Sequence, residues 1–169
     1  MSQRDTEAIQ IVPTSEEHIE SLHRCLDTVA RERRYLGGVK APPLESTRQF
    51  VLSNMLSRAP QYVAVEDGSV VGWCDITPKK GEGFTHCGTL GMGVLPDYRG
   101  KRIGTRLMEN ALLAAKKLGL ERIELEVYAS NVPAIRLYEK RGFMCEGVKR
   151  KARKLDGVFD DIMVMALFL

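Results

Sequence analysis

Several things are scarce or missing from this sequence, and each absence removes a class of protein. There are only four cysteines, at positions 25, 74, 87 and 145. They lie far apart with no C-x-x-C, which argues against a disulfide scaffold or a zinc framework and fits reduced thiols of the cytoplasm. No apolar stretch approaches the roughly 18 residues that a membrane span needs. The N-terminal MSQRDTEAIQ lacks the apolar region of a secretory signal. Neither the P-loop pattern GxxxxGK[ST] nor a GxGxxG after a first strand is present. The formal net charge is +3, too small to argue for nucleic acid but suited to an anionic ligand.

What remains is an ordinary globular composition, 44% hydrophobic and 28% charged over 169 residues. That length fits a single domain, 1–169, with a sizeable core and a polar, frayed segment over 1–7. The expectation is a cytoplasmic protein with no membrane contact and no metal.

The pattern along the chain predicts alternating strands and helices. Ile9–Val12 reads as a short strand. Thr14 or Ser15 caps a helix whose apolar face is Ile19, Leu22, Leu26 and Val29. Gly37-Gly38 and Pro42-Pro43 interrupt it, and a second helix follows from Glu45 to Ser57, with Phe50, Val51, Met55 and Leu56 as its apolar face. Gln61–Glu66 and Val70–Ile76 form a hairpin about Asp67-Gly68, and Phe84–Val94 is a third strand. A long amphipathic helix covers Ile103–Leu118 and stops at Gly119. In the strand after it, Ile123, Leu125 and Val127 alternate with Glu124, Glu126 and Tyr128. Pro133 opens a further helix that Gly142 ends. The last two strands join at Asp156-Gly157; the first carries Lys149, Arg150, Lys151, Arg153 and Lys154, read as a solvated face rather than a nucleic-acid surface. The final strand, Ile162–Leu169, suits a central place in a sheet or a homodimer interface.

One stretch carries the chemistry. Val94-Leu95-Pro96 leads into Arg99-Gly100-Lys101-Arg102-Ile103-Gly104 and then a helix. A helix N-terminus leaves backbone N–H groups unpartnered and partly positive, and glycines let a ligand approach the backbone. Strand, basic glycine-containing loop, helix is therefore an anion site suited to phosphate or diphosphate. The loop resembles motif A of the GNAT superfamily of N-acetyltransferases, Q/R-x-x-G-x-G/A, with Arg102 where the family's first glycine usually stands. A second stretch resembles the family's N-x-x-A-x-x-L-Y-x-K-x-G-F through Asn131, Ala134, Leu137, Tyr138, Lys140, Gly142 and Phe143.

The resemblance implies an α/β fold: a mixed, mostly antiparallel sheet flanked by helices, splayed into a V-shaped cleft at its central strands. It implies transfer of an acetyl group from acetyl-CoA to a primary amine of a small molecule or peptide N-terminus. Arg99, Gly100, Lys101, Arg102, Ile103, Gly104 and Thr105 would hold the diphosphate. The main chain of Met92, Gly93 and Val94 would pair with the pantetheine arm, which Asn131 also contacts. Tyr138 would protonate the leaving thiolate, and Glu32, Arg33, Tyr35 and Leu36 would meet the acceptor. Gly91 and Gly93 mark a bulge or a close backbone approach in the third strand. For the general base, Glu126 is favoured from its place on the polar strand face, with Glu124, Glu32, His86 or a water chain as rivals. A non-catalytic module that binds CoA or another phosphate ligand is the alternative.

Overall fold

A computed structural model describes residues 9–169; the frayed segment expected over 1–7 lies outside them. The strands are β1 (Gln10–Pro13), β2 (Gln61–Glu66), β3 (Ser69–Pro78), β4 (Cys87–Val94), β5 (Arg122–Tyr128), β6 (Met144–Leu155) and β7 (Val158–Phe168). The helices are α1 (Ile19–Arg31), α2 (Leu44–Leu56), α3 (Ile103–Leu118) and α4 (Val132–Lys140). The strands form one seven-stranded sheet in the order β1-β2-β3-β4-β5-β7-β6. The α/β class and mostly antiparallel sheet expected from the sequence are observed. The chain divides into two compact units: one runs up to Thr77 and resumes over Gly91–Gly119, the other comprises Pro78–Leu90 and Leu120–Leu169.

In the first unit β2 pairs antiparallel with both β1 and β3, and Asp67-Gly68 closes the β2–β3 turn with positive φ at both residues. That geometry is the hairpin turn a right-twisted ribbon prefers. Ile19, Leu22, Cys25 and Val29 of α1 pack with Val51 of α2 and with Val63, Val70 and Trp73 of the sheet. The apolar face expected for α2 needs correction. Phe50, Met55 and Leu56 are exposed, and the buried stripe is Thr47, Val51 and Asn54. The reason is a buried amide pair: Gln61 Nε2 donates to the Val51 carbonyl at 3.0 Å, and Asn54 Nδ2 donates to Gln61 Oε1 at 3.3 Å. A buried amide needs partners, and this rotation of α2 supplies them.

Helix α3 buries Ile103, Leu107, Met108, Ala111 and Ala115, and packs against β1 and β2; Leu118, its last residue, is exposed. It begins after two left-handed residues, Gly100 (φ 74°) and Arg102 (φ 62°). Position 102 is where the motif it resembles carries glycine, and its positive φ explains why glycine suits it. Strand β4 starts later than expected. Gly81 (φ 103°) leads into a short 3-10 turn over Glu82–Phe84, and the His86 carbonyl is taken by Glu121 and Arg122 N–H groups.

The β4 glycines serve side-chain packing. A Cβ on Gly93 would fall 2.3 Å from the Trp73 indole, and one on Gly91 would stand 3.7 Å from the Asp75 carboxyl oxygens. Trp73 and Asp75 alternate with buried Cys74 and so share a face of β3, lying over Gly93 and Gly91. The β2–β3 register shifts at Ala64/Val65.

In the second unit β4 pairs parallel with β5 through three residue pairs, Cys87–Thr89 with Arg122–Glu124, and there the ladder ends. β7 lies between β5 and β6, so its apolar run takes the central position and not an outer edge. Asp156-Gly157 forms the β6–β7 turn with positive φ at both residues. The basic face of β6 is largely exposed as expected, yet it has aromatic company: Lys151 and Lys154 lie over the Phe159 ring and Arg153 over Tyr128.

Two substitutions test this account. Gly93→Ala should destabilise by about 1–3 kcal/mol, because the methyl must displace the indole; a lower urea midpoint at unchanged slope would show it. Arg102→Gly should stabilise by about 0.5–1 kcal/mol. Relief of left-handed strain, about 1–2 kcal/mol, outweighs the greater freedom glycine gives the unfolded chain. The same denaturation series reads it as a raised midpoint.

Candidate active site

Within the first unit the expected residues converge on Arg99. Its Nε donates to the Val94 carbonyl at 2.9 Å, and its two terminal nitrogens donate to the Glu32 carboxylate at 2.8 and 2.5 Å. The guanidinium also lies 4.6 Å from the Tyr35 ring centroid. Glu32 accordingly holds Arg99 firmly protonated, above the usual arginine range. Glu32 and Tyr35, expected at the acceptor, and Arg99, expected at the diphosphate, thus form one cluster. Arg33 follows with a left-handed backbone (φ 59°) and an exposed side chain.

The loop after Arg99 keeps its anion-site character. A Cβ on Gly100 would meet nothing within 4 Å. No side chain caps α3, and its first turn holds no acidic residue. The uncapped N–H groups at Ile103, Gly104 and Thr105, flanked by Lys101 and Arg102, suit a diphosphate. Tyr98, just before the loop, donates to the Glu66 carboxylate and lies beneath Lys101.

The first unit also holds a carboxylate the sequence reading passed over. Asp75 is half-buried on β3 and has no hydrogen-bond or ion-pair partner among the described residues. Burial pushes its carboxyl up to about 7, and no neighbouring charge contributes. The signal available in the sequence was one acid inside the apolar run Val70–Ile76.

In the second unit Asn131 caps α4, its side chain accepting from Ala134 N–H at 3.4 Å. Tyr138 is buried and meets Phe143 edge-on at 5.8 Å between centroids. The expected bases on β5 are both engaged. Lys79 and Arg122 donate to Glu124, in that order of effect, and hold its carboxyl below the usual range. Arg122 reaches Glu146 as well. Lys149 donates to Glu126. His86 is exposed, with its ring 3.3 Å from the Cys87 sulfur. A cavity of about 370 Å³ is lined by Lys79, Thr89, Glu124, Glu126 and Val164 among others.

Comparison with known proteins agrees with these features. The acetyltransferase (GNAT) family model matches residues 24–143. The L-amino acid N-acetyltransferase AaaT of Escherichia coli is 33% identical over 107 residues, 63% of this chain and 66% of that protein. An N-alpha-acetyltransferase of Saccharolobus solfataricus is 37% identical over 111 residues, 59% of this chain and 62% of that protein. The matched region thus spans about two thirds or less of these relatives' length. The structure of yncA from Salmonella typhimurium, solved with its cofactor acetyl-CoA, superposes with a TM-score of 0.89 at 18% identity, covering 96% of this chain and 94% of that one. That likeness shows the fold. With a family model matched over most of its length and both motifs in place, the chain belongs to the GNAT acetyltransferase family.

Proposed function

We propose that this protein is an N-acetyltransferase that moves an acetyl group from acetyl-CoA directly to a primary amine of a small molecule or a peptide N-terminus. It acts as one catalytic domain in the cytoplasm, a placement that its four free thiols support. The observation that carries the reading is the uncapped, acid-free N-terminus of α3, preceded by left-handed Gly100 and Arg102. Residues Gly100–Thr105 would bind the diphosphate, and the main chain of Met92, Gly93 and Val94 would pair with the pantetheine arm; the short β4–β5 ladder supports that second role. Asn131 would contact the same arm in addition to capping its helix. Acetyl-CoA supplies the activated acyl group.

Tyr138 serves as the acid. Its phenol and the departing thiol differ by only about 1.5 units in model peptides, so the hydroxyl can give up its proton at modest cost. The segment holding Arg33 and Tyr35 borders the acceptor, fixed in place by Arg99 and Glu32. Of the bases expected from the sequence, Glu124 and Glu126 line one cavity and are both paired with cations, so neither is taken as the base. The acceptor classes rest on the two relatives, one named for L-amino acids and one for α-amino groups.

Calorimetric titration of acetyl-CoA should give a 1:1 complex with a Kd at or below roughly 100 μM, about −5.5 kcal/mol. CoA release should then follow on adding L-alanine or an alanine-led tetrapeptide. Binding without release from any amine would instead favour a CoA-sensing module. Tyr138→Phe should lower kcat by about a hundredfold while leaving the acetyl-CoA Kd unchanged. An unchanged kcat would remove Tyr138 from the acid role.

A further inference from the structure

The carboxylates of this protein differ sharply in how they are held. Glu32 is clamped by Arg99, Glu124 by Lys79 and Arg122, Glu126 by Lys149, and Glu66 accepts from Tyr98. Asp75 has no such partner. A half-buried carboxylate without a cation or donor is costly, and structures that keep one usually use it. No side chain of the neighbouring strands engages it. On β2 the residue opposite is Gln61, whose amide is already spent on Val51 and Asn54. On β4 the facing residue is Gly91, which puts no side chain between the carboxyl and the strand. Two residues along the same faces, Trp73 covers Gly93 and closes the apolar side. The result is a carboxyl over a bare stretch of backbone, walled by an indole. Met92–Val94, the main chain proposed to hold the donor arm, begins at the next residue.

We propose that Asp75 receives the acceptor: it pairs with an incoming α-ammonium group over Gly91 and takes its proton. This rests on the acetyltransferase reading and deepens it by naming the base and the amine class. The N–H bond breaks and its electron pair stays on nitrogen. The proton becomes the O–H of the Asp75 carboxyl, and the neutral amine is the nucleophile.

The proton affinities fit that choice of amine. With burial holding the carboxyl near 7, a peptide N-terminal ammonium of about 8 gives up its proton at roughly a tenfold cost in equilibrium; a lysine ammonium near 10.4 would cost more than a thousandfold. No charged group faces Asp75 from β2, from β4 or from the Thr47–Val51–Asn54 stripe of α2. The titratable neighbour is the Cys74 thiol, on the opposite face, which burial pushes up first and Asp75 second. One carboxyl therefore governs the titration.

Asp75→Asn and Glu126→Gln are to be compared with wild type for turnover of L-alanine and of the alanine-led tetrapeptide. Asp75→Asn should bind acetyl-CoA with wild-type affinity but lose at least a hundredfold in kcat/KM for both amines. The wild-type rise in kcat/KM through pH 7 should vanish with it. Asp75→Glu should recover part of the rate, and Glu126→Gln should lose less than tenfold. A second readout does not need turnover. The folded carboxyl lies above its unfolded value of 3.8, so the folded state binds more protons between the two and wild-type stability falls as pH rises from about 4 to 7. Asp75→Asn should abolish that fall, so its Tm relative to wild type rises from pH 5 to pH 8. Wild-type acetyl-CoA binding with no turnover of either amine overturns the function reading itself. Wild-type turnover with Asp75→Asn equally active and its pH limb intact, or with Glu126→Gln the dead variant, overturns the Asp75 role alone.

Discussion

The Arg99 guanidinium is the contact on which the first unit's functional half depends. It joins two stretches of chain far apart in sequence: the end of β4 through Val94, and the C-terminus of α1 with the loop after it through Glu32 and Tyr35. A planar, two-pronged pair with a carboxylate fixes direction as well as distance, which a lysine could not do. The pair is partly shielded, with side-chain exposures of 33% and 23%. Its attraction is therefore less screened than at an open surface, while both charges keep some hydration. The consequence is geometric. Arg99, at the head of the basic loop, and the Glu32–Tyr35 segment cannot move independently.

The same unit uses the two faces of its sheet for different work. On one face Val94 and Leu107 crowd Gly72, where a Cβ would meet both at 3.2 Å, so α3 sits tightly against the strands. That packing sets where the helix N-terminus points, and with it the basic loop that precedes it. On the other face Trp73 and Asp75 lie over glycines. Glycine on β4 thus does two jobs: at 93 it makes space that the indole fills, and at 91 it lets a carboxyl lie against the strand with no side chain between them.

Much of this was legible in the sequence because local chemistry decided it. Both Asp-Gly turns, the alternation along β5 and the basic loop before α3 depend on residues near one another in the chain. Long-range pairing was not legible. The face of α2 was misread because its Phe50, Met55 and Leu56 suggested a stripe, whereas a single buried amide from Gln61 selects Val51 and Asn54 instead. The Arg99–Glu32 pair was hidden for the same reason, since nothing local shows that a carboxylate 67 positions earlier takes up the guanidinium.

The base shows the limit most clearly. Alternation along β5 correctly put Glu124 and Glu126 on a polar face. Polar faces also gather cations, and here Lys79, Arg122 and Lys149 occupy both carboxylates. An acid that must accept a proton near neutral pH needs the reverse environment, with desolvation and without a counter-charge. The apolar run around Asp75 supplies it. A charged residue in a stretch whose pattern calls for valine or isoleucine costs stability whenever it ionises. The cost is avoided only if the charge finds a partner from outside the fold, and an ammonium group over Gly91 would be such a partner.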